Sequence, residues 1–124
     1  MLKENLQKRI LSKGIQESEL HVINDENCTI LSFNIQNNET ILIVNVMIYS
    51  EQEADIMVSK YLPADENIYK FVNDLNLNYR NASFFYNNEH ITIKTFCNGA
   101  KCSEDMIMRE ITNNMKFAKS NFNI

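Results

Sequence analysis

Residues 71–96, FVNDLNLNYRNASFFYNNEHITIKTF, pass from an amphipathic helix into a β-hairpin with little room between them. The helix ends at a polar corner, residues 76–81. Two strands follow, near residues 82–86 and 90–96, with a turn expected at Asn87-Asn88. A chain carrying this stretch has to pack helix against sheet, and the remaining segments are read around that demand.

Residues 2–13 carry a helical stripe, because Leu2, Leu6 and Ile10 recur at four-residue steps and Leu11 widens the apolar face. Gly14 supplies the left-handed stop that helix ends favour, and Ile15 is placed to pack back. From residue 20 to residue 62 the period becomes two. Residues 20–23 suggest a short edge strand. In residues 28–36, Thr29, Leu31, Phe33 and Ile35 share one face, and Asn37-Asn38 is expected to turn the chain. The longest strand covers residues 39–50. Leu42, Val44, Val46 and Ile48 are assigned to the core, and Ile41, Ile43, Met47 and Tyr49 line the other face, interrupted by Asn45. Ala54, Ile56, Val58 and Leu62 continue the alternation after a polar turn at Glu51-Gln52.

Pro63 ends the meander and Asp65 is expected to cap the next helix, whose stripe is Ile68, Phe71, Val72 and Leu75. After the hairpin, Asn98-Gly99 closes the region. Ser103 is expected to cap a last helix, with Glu104 and Asp105 in its first turn. Its seam is read as Met108, Ile111, Met115, Ala118 and Phe122, lying on the domain's own sheet. The order is α-β(3–4)-α-β-β-α. This predicts one α+β domain over residues 1–124, an antiparallel sheet packed against helices.

The length of 124 residues suits one domain, and 44% hydrophobic with 23% charged residues allows a core without staples. A net charge of −4 with scattered basic residues argues against nucleic acid. The most apolar segment is far shorter than the roughly 20 residues needed to span a bilayer, and residues 1–14 lack the apolar run of a signal peptide. Cys28, Cys97 and Cys102 are odd in number and form no CxxC, so a complete disulfide framework is excluded and a reducing cytoplasm is the simpler home.

No residue pattern points to catalysis, a cofactor or a metal. Cys97 and Cys102 with His90 match no zinc spacing, and they read as structural thiols. His21 and His90 are expected to face solvent. The acidic residues Glu51, Glu53, Asp55, Asp65 and Glu66 read as a solvated strand face and a helix cap. With two glycines in the chain, a phosphate loop is close to excluded.

What stands out is apolar surplus. Ile41, Ile43, Met47 and Tyr49 share a face, Met57 and Tyr61 are their expected neighbours, and Met106, Met108 and Met115 gather on the last helix. The favoured expectation is that the chain's own three helices cover the sheet on both sides. The other is an adaptable contact surface, in which Ile43, Met47, Tyr49 and Tyr61 bind a partner.

The ordering resembles the YbjN-like family, whose fold is similar to that of type III secretion chaperones. The matching residues are Tyr61-Leu62, then Val72-Asn73-Asp74-Leu75-Asn76 with Asn78-Tyr79. Ala82-Ser83-Phe84-Phe85-Tyr86 corresponds to the strand after the family's Leu-Asn corner, and residues 104–118 to its closing helix. The resemblance implies a small cytoplasmic protein with no enzyme site and no cofactor: a chaperone or regulator that binds a protein partner or client through its sheet or last helix, as a possible homodimer. The alternative is a small-molecule sensor or enzyme with a pocket between sheet and helices, for which Tyr79, Arg80, His90 and Asn45 are the polar candidates.

Overall fold

The computed structural model describes residues 1–37 and 39–123. Three helices and six strands follow the predicted order: α1 (Leu2–Ser12), β1 (His21–Asn24), β2 (Thr29–Asn37), β3 (Thr40–Ser50), β4 (Glu53–Tyr61), α2 (Ile68–Asn78), β5 (Ser83–Asn87), β6 (His90–Asn98) and α3 (Glu104–Asn121). Short 3₁₀ turns at Glu17–Glu19 and Gly99–Lys101 precede β1 and α3. The fold is α+β. All six strands pair antiparallel in one sheet, in the order β1-β2-β3-β4-β6-β5.

Register sorts the sheet into two faces, because side chains alternate along every strand. One lateral row runs Phe33, Val44, Val58, Ile93 and Phe84; another runs Leu31, Val46 and Ile56. These residues are all buried and belong to one core with Leu2, Leu6 and Ile10 of α1 and with Ile107, Ile111 and Ala118 of α3. Leu75 brings α2 into the same core. α3 crosses β4 and β6, α1 lies beside α3, and α2 runs along β5. All three helices therefore pack on one side of the sheet. Coverage of both sides, the favoured sequence expectation, is overturned: three short helices placed side by side are used up in covering one face.

Local devices place the helices. Gly14, at φ +98, turns the chain out of α1, and Ile15 packs on the core as expected. The Leu2 N–H at the start of α1 donates to the Glu51 carboxylate in the β3–β4 turn, at 3.0 and 3.1 Å. Ser103 caps α3 by accepting the Met106 N–H at 3.2 Å. At the far end of α3, the Lys60 ammonium donates to the Phe122 carbonyl at 3.0 Å, where the helix dipole favours a cation. Asn76 stitches α2 to the sheet edge: its amide donates to the Phe84 carbonyl and accepts the Phe84 N–H, at 2.9 and 2.8 Å.

Several local expectations shift. Asp65 does not cap α2; it accepts the Asn67 N–H at 2.8 Å in a turn, and the helix starts at Ile68. The hairpin turns at Asn88-Glu89, one residue later than expected, with φ of 51° and 59°. The proposed turn at Asn37-Asn38 includes Asn38, which lies outside the described residues. The buried stripe of α3 is Ile107, Ile111, Asn114 and Ala118, with Phe122 beyond its end. Met108 and Met115, placed in the seam by sequence, sit only half-buried beside α1, because α3 meets a neighbour as well as the sheet.

Candidate functional site

With the helices on one side, the second sheet face carries the exposed apolar groups. Its strands are held by their ladders, so the side chains on it are arrayed in register. One row runs Ile23, Ile30, Met47, Asp55 and Phe96, from β1 to β6. A second runs Asn34, Ile43, Ser59, Thr92 and Phe85 across β2 to β5. Phe96 is 66% exposed, Tyr61 55%, Ile41 49% and Tyr49 38%; Ile43 and Met47 are half-buried. Apolar side chains this large, gathered on β1–β3 and again at Tyr61, Phe85 and Phe96 with Asp55, Ser59 and Thr92 between them, and covered by no element among the described residues, form the kind of patch that marks contact surfaces.

The four residues singled out from sequence are thus on one face. Ile43, Met47 and Tyr49 follow one another along β3, and Tyr61 joins them at the end of β4. The Tyr61 ring meets the His90 ring edge-on at 5.8 Å. Sequence reasoning missed Phe85 and Phe96. Their signal was available: each lies out of phase with the buried Phe84, Ile93 and Cys97 on the same hairpin.

Two groups of polar side chains on this face pair with each other. Asp55 accepts the Tyr49 hydroxyl at 2.9 Å and pairs with the Lys94 ammonium at 3.6 Å. Partial burial, and then the bond to Asp55, pushes the Tyr49 hydroxyl up to about 12, so it is a neutral donor near pH 7. Ser59 and Thr92 share a hydrogen bond of 2.6 Å, and Thr92 is buried between its neighbours. Nothing in this arrangement sets a nucleophile beside a base. The surface offers contact area with a central, internally paired charge.

The other sequence candidates do not converge. Asn45 sits in the middle of the open face, and His90 at its margin. Tyr79 and Arg80 line a separate hollow of mixed polarity beside Glu110, Asn114 and Phe117. Asn114 is buried, and its amide donates to Thr95 at 2.9 Å and to the Ile56 carbonyl at 3.4 Å. A largely apolar cavity of about 280 Å³ does open between α1, α3 and the sheet, lined chiefly by Ile10, Ile15, Phe33, Ile35, Met108 and Met115. None of the four polar candidates reaches it. His21 is exposed, whereas His90 is half-buried and its Nδ1 lies 2.9 Å from the Asn88 carbonyl. No group of three or more metal-ligating side chains occurs among the described residues. No helix there is long and apolar enough to cross a membrane.

Compared with known proteins, the chain matches no family model, and no characterised protein matches it in sequence.

Proposed function

We propose that this protein is a non-enzymatic binding module of the cytoplasm, a chaperone or regulator that holds a protein partner against the open face of its sheet. The observation that carries the reading is the set of uncovered apolar side chains on this face, Ile43, Met47 and Tyr49 on β3 with Tyr61, Phe85 and Phe96 beyond the polar positions Asp55, Ser59 and Thr92. Burying such surface is worth roughly 25 cal/mol per Å², and the partner that does so is a second copy of the chain or an extended client segment. The resemblance to the YbjN-like family and the secretion chaperones points the same way.

The test is association of a charged variant. Met47 lies directly across from Asp55, so Met47→Lys introduces a charge with a partner and leaves the strand pairing intact. Light scattering on the wild type should give a mass above the monomer, or the wild type should retain a protein client. Met47→Lys should lose that association while keeping its circular dichroism. A monomeric wild type that retains no client would remove the basis for the reading.

The cavity beneath α1 and α3 favours a second reading, a sensor of a small apolar ligand. Saturating ligand at 100 times its dissociation constant stabilises a fold by about 2.7 kcal/mol. A thermal-shift screen of apolar metabolites would register that. A flat screen eliminates this reading.

A further inference from the structure

The two buried thiols of the α3 entrance are a different matter from the open face. Cys97 lies on the core side of β6, opposite Ala54. The chain then turns back through Gly99–Lys101. Gly99 has φ +78, a conformation that L side chains rarely adopt, and its N–H is anchored to the Gln52 carbonyl at 2.8 Å. The Cys102 N–H closes the turn on the Gly99 carbonyl at 3.0 Å. This fold-back sets the Cys102 sulfur against the Cys97 sulfur, 2.6 Å apart, with both residues 7% exposed. Cys28 is half-buried in the turn before β2, on another part of the sheet. An odd number of cysteines forbids complete pairing but leaves one pair possible.

We propose that Cys97 and Cys102 are a modification site, a dithiol that small-molecule disulfides such as oxidised glutathione convert to an intrachain disulfide. The two sulfurs are already in contact within one anchored turn, which is the proximity that disulfide formation requires. Entry is from the Cys102 side, where Ala100, Lys101 and Ser103 are exposed and opening the short turn uncovers the sulfur. Burial pushes the Cys97 thiol up; because the exposed residues of the turn flank Cys102, Cys102 is the sulfur that meets the external disulfide and Cys97 the resolving partner.

The exchange balances in two steps. The Cys102 thiolate attacks one sulfur of the external disulfide, a mixed disulfide forms, and one thiolate leaves. The Cys97 sulfur then attacks the Cys102 sulfur and gives up its proton, and the second thiolate departs. Two protein thiols and one disulfide become one protein disulfide and two small thiols. The bond ties the last strand to the capped start of α3, where Arg9 of α1 also pairs with Glu104 and Asp105 at 3.5 and 2.6 Å. The oxidised molecule therefore has its α1–α3–β6 corner covalently pinned.

The experiment treats the folded full-length chain carrying Cys28→Ala with oxidised glutathione, then alkylates it after denaturation. Cleavage after Lys94, Lys101 and Arg109 separates Cys97 from Cys102, because Lys101 lies between them. The expected result is that peptides 95–101 and 102–109 travel as one species until dithiothreitol is added, with the intact protein two hydrogens lighter. Where Cys28→Ala folds poorly, the same peptide pair is sought in the wild type. The melting temperature should fall by several degrees on reduction, and it should not respond in Cys97→Ala. Recovery of both peptides fully alkylated, or of glutathione held stably on Cys102, would overturn the proposal.

Discussion

β3 carries two strings of apolar residues of nearly equal greasiness, and the molecule treats them in opposite ways. Leu42, Val44, Val46 and Ile48 are at most 6% exposed, in one core with residues of α1 and α3. Ile41, Ile43, Met47 and Tyr49 stand on the reverse of the same strand with no helix among the described residues over them. The difference is not in the side chains. It comes from where the three helices go, which depends on α1 lying beside α3 and on Asn76 pinning α2 to the β5 edge. A strand apolar on both faces normally lies between two covering layers. Here one layer is supplied by the chain, and the other place is open.

Truncation should separate the faces most sharply. Leu31→Ala, at a fully buried core position, should cost about 2–5 kcal/mol, whereas Ile41→Ala, half-exposed on the reverse face, should stay within about 1 kcal/mol. Urea unfolding measures both. Equal costs would erase the distinction. Asn114→Ala should cost about 1–3 kcal/mol, since it removes the donor that Thr95 and Ile56 share inside the core. A neutral result would show that this amide is dispensable to packing.

The last effects are alkaline ones. Tyr49 on the open face and Cys97 on the core face are both raised, from 10.0 and 9.0 to about 12. A raised acid holds its proton more tightly when folded, so its contribution is complete below the unfolded value and lost as pH rises through the folded one. Stability should therefore decline from pH 9 toward pH 12, with Cys97 acting first and Tyr49 from pH 10. Tyr49→Phe should flatten the upper part alone. An unchanged slope would show that Tyr49 is neither desolvated nor bonded to Asp55 in solution.

Much of this architecture was legible because it is written in local period. The α1 stripe, the alternation of β3 and β4, the Gly14 stop and the Ser103 cap each depend on residues a turn or a strand apart. The misplacements share a cause. Asn87 and Asn88 are both turn formers, and spacing alone does not say that Glu89 takes the second positive φ. Asn114 was invisible to a search for apolar periodicity, although it occupies a core position of α3. The meeting of Cys97 with Cys102 requires the Gly99 fold-back. The open face required knowing which side the helices choose, a tertiary fact that no window of sequence contains.

The most direct test compares two neighbours on β3. Val44→Lys places an unpaired charge in the sealed core and should abolish folding. Ile43→Lys, between Asn34 and Ser59 on the other face, should fold with a loss of about 1 kcal/mol or less while association disappears. Unfolding of Ile43→Lys to the same extent as Val44→Lys would contradict the account, because the second face would then be interior.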